Sequence, residues 1–442
     1  MAATEYSDAK PPLIDGEDSS SGGRPPTALG DPKAADAAPN APAPQLGTHG
    51  DFPEGGTRAW LAVSGASACL FVSFGWVNCA GIFQQHYQLN QLSAYTPSEI
   101  SWIPAFQVFF MVFSGILVGK VFDDHGPAIL LAVGTFLHVF GLMMTSISTA
   151  YYQILLSQAI CSGIGASMVF FPAFNCVTTW FMKRRGAALG LTVAGSSIGG
   201  VIFPIMLIHL IPRVGFGWAI RICAFLILAL LAWANLTLRS RIPPSKRPFR
   251  LKAFVSPLGE LPFALLTAAV FLFYWGMLIP FTYIVVEARA SGMAEDLANY
   301  LVPILNGASI IGRTVPNAIA DKVGHYNMMI AMAGLTGVLV LALWIPASGN
   351  AATIVFTALF GIASGAGIGL TPVLIAHISP IQQIGTRTGT CYSIAALAAL
   401  TGSPIGGAIL AATGAARSKT PRSSLAYRAP WAPCSSLLLI FL

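Results

Sequence analysis

At 442 residues, with 55% hydrophobic and only 9% charged side chains and a mean hydropathy of +0.69, the chain cannot fold around a water-soluble core. A net charge of +7 and a pI near 9.1 would suit nucleic acid in bulk, but the cations lie between apolar runs, so their pattern encodes membrane topology and excludes a nucleic-acid partner. Six of the seven cysteines fall inside those runs at no framework spacing, which marks them as small packing residues.

Residues 1–57 are rich in Ala, Pro, Gly, Ser and Asp and hold no apolar run, a composition that cannot offset the entropy of ordering; a disordered cytosolic tail is expected. It carries no signal peptide, so the first membrane helix does the targeting. Eleven apolar stretches follow. Each approaches the ~20 residues that cross a bilayer as a helix, and lipid forces each to close its backbone hydrogen bonds internally. The spans are expected at 60–84, 100–122, 128–147, 151–181, 186–211, 217–239, 261–286, 297–320, 327–346, 350–379 and 384–412. The fold class is therefore an all-α membrane protein. A Pro/Arg/Lys-rich cytosolic connector at 240–260 divides an N-terminal six-helix bundle, 58–239, from a C-terminal bundle, 261–412.

Of the 24 Lys and Arg, twelve sit in alternate loops, and the opposite loops hold only Arg213 and Arg289. That asymmetry places the N-terminus and the connector in the cytosol, with the plasma membrane the expected location. Lys183, Arg184 and Arg185 read as an orientation anchor. The last segment, 413–442, breaks the pattern: a twelfth helix is due at about 418–440, but Arg417, Lys419, Arg422 and Arg428 interrupt it. A shifted reading frame or mis-spliced exon is the expected origin of a segment of correct length and wrong composition, with the twelfth helix expected to be aberrant or missing.

The halves repeat. Asp123-x-x-Gly126 after the second span returns as Asp321-x-x-Gly324 after the eighth, an offset of 198. Ser162-Gly163-Ile164-Gly165 returns as Ser364-Gly365-Ala366-Gly367 at 202, and Ser196-Ser197-Ile198-Gly199-Gly200 as Ser403-Pro404-Ile405-Gly406-Gly407 at 207. Two parallel six-helix halves resemble the major facilitator fold, whose substrates bind near the midplane between halves. Glu54-Gly55-Gly56-x-x-x-Trp60 and the run from Trp180-Phe181-Met182-Lys183-Arg184-Arg185-Gly186 to Ser196 sharpen the likeness. Together they resemble the two signatures of the monocarboxylate-transporter family in its fungal form. The resemblance spans Glu54 to about Leu410 and implies movement of small organic acids, vitamins or secondary metabolites.

Gly119-x-x-x-Asp123-x-x-Gly126 matches the facilitator loop between the second and third helices, with Pro127 where basic residues are usual. Such an aspartate can cap a neighbouring helix or pair with a cation, latching the cytosolic side; the plainer alternative is a charged turn at the membrane edge. Asp123 with Gly126 and Asp321 with Gly324 are the expected gating residues.

Arg313 lies inside the eighth span, eight residues before Asp321, so ~12 Å along the helix. A charge there costs at least ~2.5–3.5 kcal/mol and normally faces an interior cavity. The resemblance assigns this arginine to the substrate carboxylate, which a guanidinium pairs with in bidentate fashion; snorkelling or a structural pair with Asp321 are the alternatives. The family's aspartate four residues earlier is Ser309 here, and its helix 1 lysine is missing where Asn78 and Cys79 stand. Uniport, or coupling through another group, is then expected, with protons a candidate coupling ion. Asn306, Ser309, Tyr274 and Asn78 complete the candidate substrate contacts, and midplane aromatics suit a flatter cargo than lactate.

The six histidines within the spans and their loops form no metal-ligand cluster. No nucleophile–base pair, phosphate loop or cofactor fingerprint appears, so the reading is a carrier that uses no cofactor and is not an enzyme. Its partners are a small organic anion or metabolite and the lipid bilayer. The competing reading is a carrier-fold sensor or inactive relic.

Overall fold

The computed structural model describes residues 52–418 apart from 247, 249–251 and 347–348; for 97 and 403–418 it describes the backbone alone. The expected tail at 1–51, part of the connector and the atypical segment beyond 418 lie outside the described residues. Nearly all of the rest is helix. Eleven long helices run in order: α1 Thr57–Leu89, α2 Ser98–His125, α3 Pro127–Thr145, α4 Tyr151–Thr178, α5 Arg185–Val214, α6 Phe216–Thr237, α7 Leu261–Ala290, α8 Leu301–Val323, α9 His325–Trp344, α10 Asn350–His377 and α11 Ile384–Ser418. Among the described residues nine are long and apolar enough to cross a membrane. Helix α8 is not among the nine, because one face is polar and turned inward: Asn306, Ser309, Arg313 and Asn317 are all buried. Outward faces carry side chains such as Phe136, Leu236 and Ile330, as lipid contact requires.

Local chemistry sets the boundaries. A capping box opens α2, with Glu99 N donating to Thr96 Oγ1 and Thr96 N to Glu99 Oε2. Gly126 and Gly324 close α2 and α8 at φ +76° and +103°, values that a side chain resists. Both glycines belong to the repeated loop motif, so their type follows from the turn that ends the helix beside each aspartate.

The halves meet along two related seams, α2 on α11 and α5 on α8. Glycine makes both possible. A Cβ on Gly119 would stand 2.0 Å from Gly385 O, and one on Gly389 would stand 2.1 Å from Gly115 O. On the other seam, a Cβ on Gly186 would lie 2.4 Å from Asn317 O, and one on Gly190 would lie 2.4 Å from Arg313 O. Gly115 and Gly119 thus correspond to Arg313 and Asn317 at an offset of 198, and Gly186 and Gly190 correspond to Gly385 and Gly389 at 199.

This register corrects two of the three motif pairings. In α4 and α10 the equivalent glycines are Gly163, whose Cβ would meet Gln107 O, and Gly361, whose Cβ would meet Leu305 O, again 198 apart. The pairing at 202 is therefore slipped by one helical turn, and that at 207 by about two. Close-packed helices set small residues about one turn apart, so a small-residue motif matches itself equally well one turn out of place.

Candidate site between the halves

Arg313 turns inward and is 2% exposed. Its Nη1 donates to Val193 O at 3.1 Å and to Ser196 Oγ, both on α5, while Nε has no hydrogen-bond partner. Arg313 does not pair with Asp321, which lies about 12 Å further along α8 and accepts instead from Gly186 N and Ala187 N. Above Arg313 the seam continues in neutral polar contacts. Ser309 Oγ lies 2.6 Å from Ser197 Oγ, and Asn306 Nδ2 donates to Asn78 Oδ1 at 3.0 Å. Gly200 makes room for that amide pair, since a Cβ there would fall 2.7 Å from Asn306 Oδ1.

Asn306, Ser309 and Asn78 thus line one continuous seam with Arg313, on α8 and α1. Tyr274, on α7, is buried and interacts with Thr371, Tyr392 and the Arg313 charge. Rings from both halves converge there: Phe170, Phe171 and Phe174 of α4 surround Tyr392 of α11, whose centroid lies 6.1 Å from that of Tyr274. Sequence reasoning passed over Ser196, Ser197, Asn317 and Tyr392. Asn317 was findable, since it extends the polar face of α8 one turn beyond Arg313 and donates to Arg313 O at 2.6 Å.

Each motif aspartate caps a helix of the opposite half. Asp123 accepts from Gly385 N at 2.9 Å, Thr386 N at 2.8 Å and Thr386 Oγ1 at 2.7 Å, all at the start of α11. Asp321 accepts from Gly186 N at 2.7 Å and Ala187 N at 2.9 Å at the start of α5, and it also meets His325 Nε2 at 2.9 Å. A carboxylate at a helix N-terminus satisfies free N–H groups and complements the dipole, worth up to ~2 kcal/mol when partly buried. The connector braces the first contact, with Ser245 N donating to Asp123 O at 2.9 Å.

The anchor reading of the cationic triplet needs correction at Arg185. It is buried, not solvated, and its guanidinium donates to Thr178 O, Phe181 O and, on α10 of the other half, Ala376 O. Three carbonyls replace the water that a surface anchor would keep. The Glu54 signature also gains a physical role. At φ +52° its carboxylate accepts from Met182 N, Lys183 N and Arg184 N, fixing the turn that launches α5.

Arg387, just inside α11, donates to Glu260 before α7 and lies over the Phe263 ring, 5.4 Å from its centroid. The Arg387 hydrogen bonds hold the exposed Glu260 carboxyl below the usual carboxylate range. The contribution of this pair is therefore full above the ordinary value of 4.5 and fades as pH falls through the lowered one. Glu260→Gln is expected to lower the thermal midpoint slightly at pH 7, with the gap to the unmodified chain closing as pH falls through the lowered value. A gap that persists in acid would mean the contact does not depend on the charge.

The comparisons agree with this architecture. The profile described as Major Facilitator Superfamily matches residues 61–316. The chain is 56% identical over 376 residues to the MFS-type transporter opdF of Penicillium oxalicum, covering 85% of this chain and 88% of that protein. It is 46% identical over 359 residues to the Fujikurins efflux protein of Gibberella fujikuroi, covering 81% and 77% respectively. Among solved structures, the human organic anion transporter MFSD10 superposes with a TM-score of 0.67 at 14% identity, covering 87% of this chain and 98% of that one, a likeness of fold alone. With helices, paired seams and sequence in accord, the chain is an integral multi-pass membrane protein that belongs to the Major Facilitator Superfamily.

Proposed function

We propose that this transporter exports a small organic anion or secondary metabolite by alternating access, as a monocarboxylate-transporter-like branch of its superfamily. Arg313 holds the anionic group, and Asn306, Ser309, Tyr274 and Asn78 shape the surroundings. The observation that carries this reading is a buried guanidinium at the seam between halves whose Nε has no partner, so a donor remains free for an incoming oxygen. The rings around Tyr392 favour a planar, apolar body behind that anionic group. Export is the direction favoured by relatives named efflux proteins.

In this reading the bundles are 58–239 and 261–412, joined by the connector at 240–260. Asp123 with Gly126 and Asp321 with Gly324 form the cytosolic gate. The N-terminus lies in the cytosol and the carrier resides in the plasma membrane, with protons the candidate coupling ion. The test uses the full chain in proteoliposomes and a panel of labelled planar organic acids set against their methyl esters. Saturable counterflow of an acid, with its ester inert, is the expected result. Binding without counterflow would assign the chain to sensing, and equal exchange of acid and ester would remove Arg313 from recognition.

A further inference from the structure

The Asp321 cap has a partner that the Asp123 cap lacks. His325, the first residue of α9, places Nε2 2.9 Å from Asp321 Oδ1, and its side chain is 16% exposed at the end of the seam. At the repeat offset of 198 the equivalent of His325 is Pro127, the first residue of α3, which has no group to titrate. In other respects the two are alike: each carboxylate caps a helix of the opposite half, and each motif ends on a glycine at positive φ. One seam alone therefore carries an imidazole with a carboxylate in contact and water within reach, conditions that let the ring take up a proton.

The charges around His325 divide by half. On its own half stand Asp321 and the exposed Lys322 of α8, Tyr326 of α9, and His377 of α10, whose ring centroid lies 6.2 Å away. These move with His325 when the halves part. On the opposite half stand Arg185, whose charge acts on both Asp321 and His377, the exposed Lys183 and Arg184, and the positive dipole end of α5. Glu54, the carboxylate on that side, is spent on three backbone N–H groups. Closure thus brings cations and a positive helix end up to the imidazole, removes water from it and commits Asp321 to Gly186 N and Ala187 N. Each change favours the neutral ring, whose Nε2–H still donates to Asp321. Opening takes the cations away and leaves Asp321 to the imidazolium. A proton that the open form holds more tightly shifts the population toward the open form.

We propose that His325 is a proton-binding site on the α5–α8 seam, and that its protonation releases the Asp321 cap and opens the cytosolic end. This site rests on the gating reading of Asp321 and adds what works that gate: the carrier opens toward an acid cytosol. One titrating cap is enough, since rigid halves part along both seams together, and Pro127 leaves the Asp123 cap without such a ring.

Its test needs no substrate. The full chain in lipid nanodiscs carries spin labels in place of Lys183 and Lys322, exposed positions on either side of the seam, which leaves Arg185, Asp321 and His325 untouched. Between about pH 8 and 5, the range in which imidazole changes charge, the ratio of long to short distances should rise about 3- to 10-fold. His325→Gln keeps a donor for Asp321 but cannot titrate, so it should hold the short distance throughout. Should that variant fail to fold, His325→Lys, charged at every pH in the range, should hold the longer population throughout. A ratio that ignores pH, a response that survives in His325→Gln and so belongs to His377 or another group, or a short distance in His325→Lys overturns the site. A shift toward the short distance in acid overturns its direction. Asp321→Asn separates this site from the gate: if that variant lengthens the distance and pH does not, the site alone fails, and if neither does, the gating reading fails with it.

Discussion

Replacing Arg313 by methionine is expected to reduce affinity for an acidic cargo by about 30-fold or more while leaving the empty protein as stable as before, or more stable. The two effects have one origin. The guanidinium is buried at the seam, held by one carbonyl and one hydroxyl of α5, with Nε unpartnered. A charge so poorly compensated costs the folded protein energy, at least ~2.5–3.5 kcal/mol on insertion scales for an arginine at mid-membrane depth. Methionine fills similar volume without that cost, as happens when buried charges give way to apolar residues. Binding runs the other way, since removing one partner of a buried charge pair typically costs ~2–5 kcal/mol. Arg313→Lys keeps the charge and loses the planar fork, so it should retain only part of the affinity. Thermal midpoints with and without an acidic probe, measured by tryptophan fluorescence in detergent, check both halves. A fall of several degrees for the empty Arg313→Met protein would make the arginine a structural tie, and unchanged affinity would remove it from recognition.

The helices were legible because lipid leaves an apolar segment one solution, so hydropathy alone located α1–α11 to within a few residues. Even α8, whose inward face is polar, was found, because Asn306, Ser309 and Arg313 follow helical spacing among apolar neighbours. The loop motif was equally readable, since the turn that follows each aspartate requires a glycine at positive φ. Contacts between distant helices were not readable. Arg185 looks like any loop cation until α10 supplies Ala376 O. The register of the repeat was misjudged for a related reason: glycine and serine mark where backbones touch, but they recur every turn. Only the carbonyl facing each missing Cβ fixes which glycine pairs with which.

Asp123→Asn and Asp321→Asn are each expected to open the end of the molecule where α2, α5, α8 and α11 meet, and together to make the opened form predominate. Each carboxylate uses both oxygens on backbone N–H groups at the start of a helix in the opposite half. Asparagine keeps the shape but loses the charge, and its NH₂ group must face an N–H donor, so one bond is lost and one donor is left unsatisfied. At ~1.5–3 kcal/mol for a hydrogen bond to a charged group, each replacement should shift the closed-to-open ratio about 10- to 100-fold. The two seams share no residue, so the effects should add in free energy and multiply in population. Spin labels at Lys183 and Lys322, exposed positions flanking the α5–α8 contact, report the separation directly. The unmodified chain should give one short distance, Asp321→Asn a second and longer population, and the double variant mainly the longer one. Asp123→Asn alone should also lengthen this distance, although it lies on the other seam, because rigid halves cannot part along one seam only. An unchanged distribution in the double variant would show that the aspartates are ordinary helix caps with no hold on the closed state.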